Sequence, residues 1–110
     1  MKLIYTALFF LFSFSLYADD LYVFTATWCP PCKELKRFMA NNPEVFKDYE
    51  VSIIDIDDYP EIAKSYNVDK VPTSVILENG EVSRKYIGFS SGYKNWIEKK
   101  SNERLMYNTY

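Results

Sequence analysis

The chain has 110 residues, 48% of them hydrophobic and 18% aromatic, enough apolar material for one packed domain and too much for a disordered chain. Its 13 Lys and Arg stand against 15 Asp and Glu, a net charge of −2 with no long run of either sign. That argues against a nucleic-acid or membrane-surface protein, which would carry a basic patch, and the complete absence of histidine removes the commonest general base and metal ligand.

Residues 1–18 read as a signal peptide. Lys2 is a short positive n-region, Leu3–Leu16 is an almost unbroken apolar run, and Ala18 is a small residue placed for cleavage ahead of Asp19 and Asp20. Leu16 and Tyr17 make the cleavage pattern imperfect, so a cut after Ser15 is the alternative. The apolar run falls short of the roughly 20 residues that a spanning helix needs. Cleaved export to the bacterial periplasm is therefore expected over a retained membrane anchor facing it. No cysteine follows the run to carry a lipid.

The mature chain opens with Leu21–Thr25 (LYVFT), a strand of the kind buried on both faces. A Cys-Pro-Pro-Cys turn follows, and then Lys33–Ala40, whose Leu35, Phe38 and Met39 mark one face of a helix. Pro30 and Pro31 suit its first turn, where the missing N–H groups would have no partner. Asn41-Asn42-Pro43 ends it. Glu50–Ile56 reads as a second strand and Pro60–Tyr66 as a short helix with Ile62, Ala63 and Tyr66 on one side. Thr73–Leu77 and Glu81–Ile87 flank Glu78-Asn79-Gly80, a strong hairpin signal. In the second of these, Val82, Arg84 and Tyr86 alternate with Ser83, Lys85 and Ile87. After Gly88 a last helix sets Tyr93, Trp96 and Ile97 on one face. The order β-α-β-α-β-β-α makes a single α/β domain at 19–100, a four-stranded mixed sheet flanked by helices, with a polar tail at 101–110 expected to fray.

Cys29 and Cys32 are the only cysteines, and they sit between a strand and a helix. Unpaired N–H groups and the helix dipole favour a thiolate at Cys29, lowering its pKa and raising the nucleophilic fraction at neutral pH. Cys32, one turn further in, can close a disulfide with it and resolve mixed disulfides. Zinc would need four ligands, and there is neither a second pair nor a histidine. A purely structural bridge would close too small a loop to stabilise much. Asp55, Asp57 and Asp58 read as a solvated strand end rather than a divalent-metal site.

Trp28-Cys29-Pro30-Pro31-Cys32-Lys33 after a strand resembles the active site of the thioredoxin superfamily. The likeness continues in Val71-Pro72-Thr73, in Asn79-Gly80 and in Gly88, in order and at similar separations, over about Leu21 to Glu98. Trp-Cys-Pro-Pro-Cys is especially similar to exported thioredoxin-like proteins of the TlpA kind. The resemblance implies a minimal thioredoxin fold, with Cys29 as nucleophile and Cys32 as resolving cysteine of a redox-active disulfide. It also implies a cis Val71–Pro72 bond beside Cys29, and substrate contacts from Trp28, Pro30, Pro31, Val71, Pro72 and Thr73. Two departures matter. The buried Asp of ordinary thioredoxins falls at Val23, and its partner Lys at about Ile53. An unpaired buried Lys would be costly, so their joint loss is coherent, but the proton acceptor for Cys32 goes with them. The family's first strand and helix are also missing, and nothing specifies a glutathione site.

The expectation is an exported, monomeric thiol–disulfide oxidoreductase without cofactor or metal. Its partners would be protein thiols and disulfides and a second redox protein that donates or accepts electrons. Nucleic acid is not a partner, and a membrane is one only if the signal segment is retained. Two prolines supply neither charge nor N–H to the sulfur, so the lean is towards a reductant. The alternatives are an oxidase or isomerase of secreted proteins, or a non-catalytic binding or assembly factor on the same fold. A metallochaperone is disfavoured by the missing histidine.

Overall fold

A computed structural model describes residues 18–98; the expected signal peptide up to residue 17, the last two residues of the expected domain and the tail at 101–110 lie outside the described residues. In chain order the elements are β1 (Asp19–Thr25), α1 (Pro30–Asn41), a 3-10 turn (Pro43–Phe46), β2 (Tyr49–Asp55), α2 (Pro60–Ser65), β3 (Thr73–Glu78) and β4 (Glu81–Ile87). Residues 93–98 are helical and form the described part of α3. No helix among the described residues is long and apolar enough to cross a membrane.

The strands form one mixed sheet in the order β2-β1-β3-β4. β1 runs parallel to β2 and antiparallel to β3, and β3 pairs antiparallel with β4. The parallel pair needs a crossover, and α1 supplies it. The β3–β4 hairpin turns on Asn79 (φ 55°) and Gly80 (φ 82°). Two left-handed central residues match the twist of the flanking strands, which is why Asn-Gly occurs here.

β1 lies inside the sheet, and its side chains alternate between two cores. Leu21 and Val23 pack with Leu35, Phe46, Ile76, Tyr93 and Ile97, under α1 and α3. Phe24 packs on the other side with Ala63 of α2, Val75 and Leu77. The first core is lined with aromatic pairs in edge or tilted contact. Phe38 lies 5.6 Å from Phe89, Tyr86 lies 5.3 Å from Tyr93, and Tyr93 lies 5.6 Å from Trp96. Such pairs add to plain area burial. The Tyr86 and Ser90 hydroxyls are hydrogen-bonded as well.

Three features differ from the sequence expectation. Pro43 does not merely stop α1; it opens the 3-10 turn whose Phe46 is buried. The β3–β4 register slips between Ile76 and Leu77, so Ile76 faces Arg84 while Leu77 faces Val82. This bulge takes Val82, 54% exposed, out of line with the half-buried Arg84 and Tyr86. Arg84 then reaches α3: Nη1 donates to the Trp96 carbonyl at 2.6 Å, and the guanidinium stacks 5.1 Å from the Trp96 ring centroid.

Candidate active site

The site is built where β1 ends. The Cys29 N–H donates to the Ala26 carbonyl at 3.3 Å, turning the chain at once into α1. Cys29 is the N-cap, in extended conformation (φ −103°, ψ 110°), with Pro30 and Pro31 filling the first two helical positions. A helix start leaves its first N–H groups without intrahelical partners. Two prolines remove two of those donors. The amide that remains is that of Cys32, and it donates to Cys29 Sγ at 3.2 Å. Sulfur thus takes the capping place that an Asp or Ser oxygen usually holds. The same N–H and the helix dipole favour negative charge on this atom when it is a thiolate.

Cys29 and Cys32 are joined by a disulfide, with their Cα atoms 5.3 Å apart. Cys29 retains 3% exposure and Cys32 none. The pair packs with Ala26, against Ile56 and Val71. Cys29 Sγ lies 3.6 Å from the Val71 carbonyl oxygen, which brings a loop 42 residues further on against the sulfur. The Val71–Pro72 bond is cis. That loop is held from both ends. Gly88 N–H, just after β4, donates to the Pro72 carbonyl at 2.7 Å, and the Thr73 hydroxyl donates to the Lys70 carbonyl at 2.6 Å.

Trp28 stands on the rim, 63% exposed. Its Nε1–H donates to Asp57 Oδ2 at 3.0 Å. Asp57 is positioned in turn by its own N–H, which donates to Asp55 Oδ1 at 2.8 Å. The carboxylates of Asp55 and Asp57 are therefore engaged in a turn and an indole tether. Pro30 and Pro31 are exposed on the helix start. Trp28, Pro30 and Pro31 flank the two cysteines along the chain, and Val71, packed against the pair with its carbonyl facing Cys29 Sγ, is followed directly by Pro72 and Thr73.

The two departures at Val23 and Ile53 face different surroundings. They pair directly in the β1–β2 register. Val23 is fully buried, whereas Ile53 is 51% exposed on the outer strand of the sheet. A lysine at 53 would reach water, so the expectation that its loss is tied to the cost of burial is corrected. Two further features escape sequence reasoning. One is the Trp28–Asp57 tether, across 29 residues of chain. The other is Thr25, whose hydroxyl is buried without a hydrogen-bond partner among the described residues. A threonine closing a strand of otherwise aliphatic and aromatic residues, LYVFT, was its only signal.

Three phenols, two on the sheet and one at the start of α3, are pushed up by burial. Tyr22 is raised by burial and then by its neighbour Tyr66. Tyr49 is raised by burial against the opposing pull of Arg84, and Tyr93 is pushed up to about 12, again by burial.

A family model described as Thioredoxin matches residues 17–99. Thioredoxin from Mycoplasma genitalium is 36% identical over 66 residues, covering 60% of this chain and 65% of that protein. Thioredoxin H2 from Arabidopsis thaliana is 32% identical over 77 residues, covering 70% of this chain and 56% of that protein. The matched stretch thus spans between half and two thirds of the length of these curated relatives. Among solved structures, a mutant thioredoxin from Halobacterium salinarum superposes with a TM-score of 0.65 at 32% identity, covering 74% of this chain and 73% of that one.

Proposed function

Because the chain belongs to the thioredoxin family, we propose that it is a thiol–disulfide oxidoreductase, exported from the cytoplasm, that reduces or exchanges disulfides in protein substrates. The observation that carries this reading is the Cys29–Cys32 disulfide at the start of α1, with the Cys32 N–H aimed at Cys29 Sγ. That arrangement gives the two sulfurs unequal roles. Cys29 is the capped and less enclosed one, fit to be a nucleophile; Cys32 is wholly enclosed, fit to act on Cys29 alone.

In the reducing direction the Cys29 thiolate attacks one sulfur of a substrate disulfide. That S–S bond breaks, a bond from Cys29 to the substrate forms, and the second substrate sulfur leaves as a thiolate. Cys32 then attacks Cys29 Sγ. The mixed disulfide breaks and its electron pair departs with the first substrate sulfur. Overall two electrons and two protons pass from the dithiol to the substrate, and the protein is left as the Cys29–Cys32 disulfide. A dithiol electron donor must restore it, since an oxidising compartment will not. Trp28, Pro30 and Pro31 on one side and Val71, Pro72 and Thr73 on the other form the wall against which an extended substrate segment docks. The tether to Asp57 supports this role for Trp28, because it holds a large exposed aromatic in one place.

Export rests on the n-region, apolar run and Ala18 at residues 1–18. Intact mass of the secreted chain tests it, with a start at Asp19 expected. A Cys32→Ser variant tests the chemistry. It should accumulate mixed disulfides on Cys29, releasable by a reductant and absent when Cys29 is also replaced. If purified wild-type dithiol leaves a model protein disulfide intact and Cys32→Ser captures nothing, the oxidoreductase reading fails. The reduction potential of the couple fixes direction: a value near the strong oxidants would replace the reductant assignment with an oxidase.

A further inference from the structure

The buried hydroxyl of Thr25 has no role in the chemistry above. Thr25 is 0% exposed, and Oγ1 has no hydrogen-bond partner among the described residues. Buried polar side chains seldom stay unpaired, and one that does needs an explanation. Its position supplies one. Leu21, Val23 and Thr25 share a face of β1, and Leu21 and Val23 pack with Leu35 of α1 on that face. After the 26–29 turn α1 doubles back along β1, so earlier helix positions lie over later strand positions. Cys32 precedes Leu35 by three residues, about 4.5 Å along a helix axis. Thr25 follows Val23 by two, about 6.6 Å along a strand. The helix and strand therefore bring Cys32 and Thr25 to the same level, both fully enclosed.

We infer that Thr25 is a positioning residue of the redox couple: its hydroxyl donates a hydrogen bond to the Cys32 sulfur once the Cys29–Cys32 bond is open. This rests on the proposed thiol–disulfide chemistry and adds the group that serves the resolving sulfur. In the disulfide, the S–S bond fixes the direction of Cys32 Sγ and the hydroxyl stays unpaired. In the dithiol, the sulfur becomes a thiol or thiolate and accepts the O–H, which stabilises the reduced form and the attacking anion. The charged groups on neighbouring elements do not compete. Lys33 and Glu34 of α1, Asp57 and Asp58 beyond β2, and Lys70 before the cis loop are exposed, and half-buried Asp55 is engaged with the Asp57 N–H.

The test compares Thr25→Val, which keeps the shape and removes the hydroxyl, with Thr25→Ser, which keeps the hydroxyl. The full chain is equilibrated in glutathione buffers and its thiols are counted by alkylation. Thr25→Val should shift the equilibrium towards the disulfide by up to about tenfold, the upper size expected of one hydrogen bond to a neutral thiol. That is a potential more negative by up to about 30 mV. Thr25→Ser should stay close to wild type. If Thr25→Val fails to fold, Thr25→Ala carries the same expectation. An unmoved Thr25→Val equilibrium, or a Thr25→Ser shift as large as that of Thr25→Val, overturns the assignment while leaving the redox function standing. A wild-type chain that does not exchange with glutathione at all overturns both.

Discussion

Replacing Tyr93 by Phe removes one buried phenol, the one that ties α3 to β3 just beyond the cis-proline loop. Its hydroxyl shares a 2.8 Å hydrogen bond with Ser74 Oγ, and both residues are fully buried. At pH 7 the Phe variant leaves the Ser74 hydroxyl unpaired, a loss of about 1–3 kcal/mol. Alkali then changes the comparison. Burial pushes Tyr93 up to about 12 against an ordinary 10, with the Ser74 hydrogen bond pulling the other way. A folded pKa above the unfolded one gives stability that is complete below pH 10 and lost as pH rises towards 12. Two units at 1.36 kcal/mol each make that loss about 2.7 kcal/mol. The wild-type advantage over Tyr93→Phe should therefore shrink to near nothing by pH 12. Tyr22 and Tyr49 are also raised, but they are common to both chains and cancel. Urea melts of both chains from pH 7 to 12 measure the gap, and tyrosinate absorbance follows the ionisation directly. A gap that is the same at pH 8 and pH 12, or all ten tyrosines titrating together near pH 10, would refute the reasoning.

Val23 and Ile53 are register partners, yet substitutions there should have opposite consequences. Val23→Asp places a carboxyl in the closed core and should cost about 3 kcal/mol or more at pH 8. Burial raises its pKa, so the cost should be smaller at pH 3, where the unfolded carboxyl is also neutral. Ile53→Lys, on the open strand, should stay within about 0.5 kcal/mol of wild type in urea; equal costs would contradict the burial described for the two positions. Leu35→Ala, one turn behind Cys32 and fully buried, should cost about 2–5 kcal/mol by the same measurement. A cost below 1 kcal/mol would mean that α1 is not seated through this residue.

Most of the scaffold was legible because its signals are local. The apolar run of β1, the i, i+3, i+4 spacing of Leu35, Phe38 and Met39, and Asn79-Gly80 each report on a few neighbouring residues. The β-α-β-α-β-β-α order follows from them. Signals that failed depend on distant partners or on a second use of one residue type. Pro43 reads as a helix stop, and it is also a good first residue for the next turn. The bulge between Ile76 and Leu77 depends on how two strands settle together and has no glycine to announce it. Ile53 looks like core by composition, but being an outer strand is a property of the whole sheet. At the site the cysteines and their placement at a helix start were plain. The indole tether to Asp57 and the unpaired hydroxyl of Thr25 were not, since each depends on which side chains meet after folding.

The two prolines between the sulfurs have a consequence for observation. The stretch from Cys29 to Cys32 carries no exchangeable amide at positions 30 and 31, so it is silent to hydrogen exchange and to amide-detected spectra there. Its first amide beyond the cap is that of Cys32, and that N–H lies against Cys29 Sγ. A single resonance therefore carries the charge and bonding state of the nucleophilic sulfur. It also belongs to the residue whose own sulfur completes the reaction, so that one signal follows both halves of the exchange.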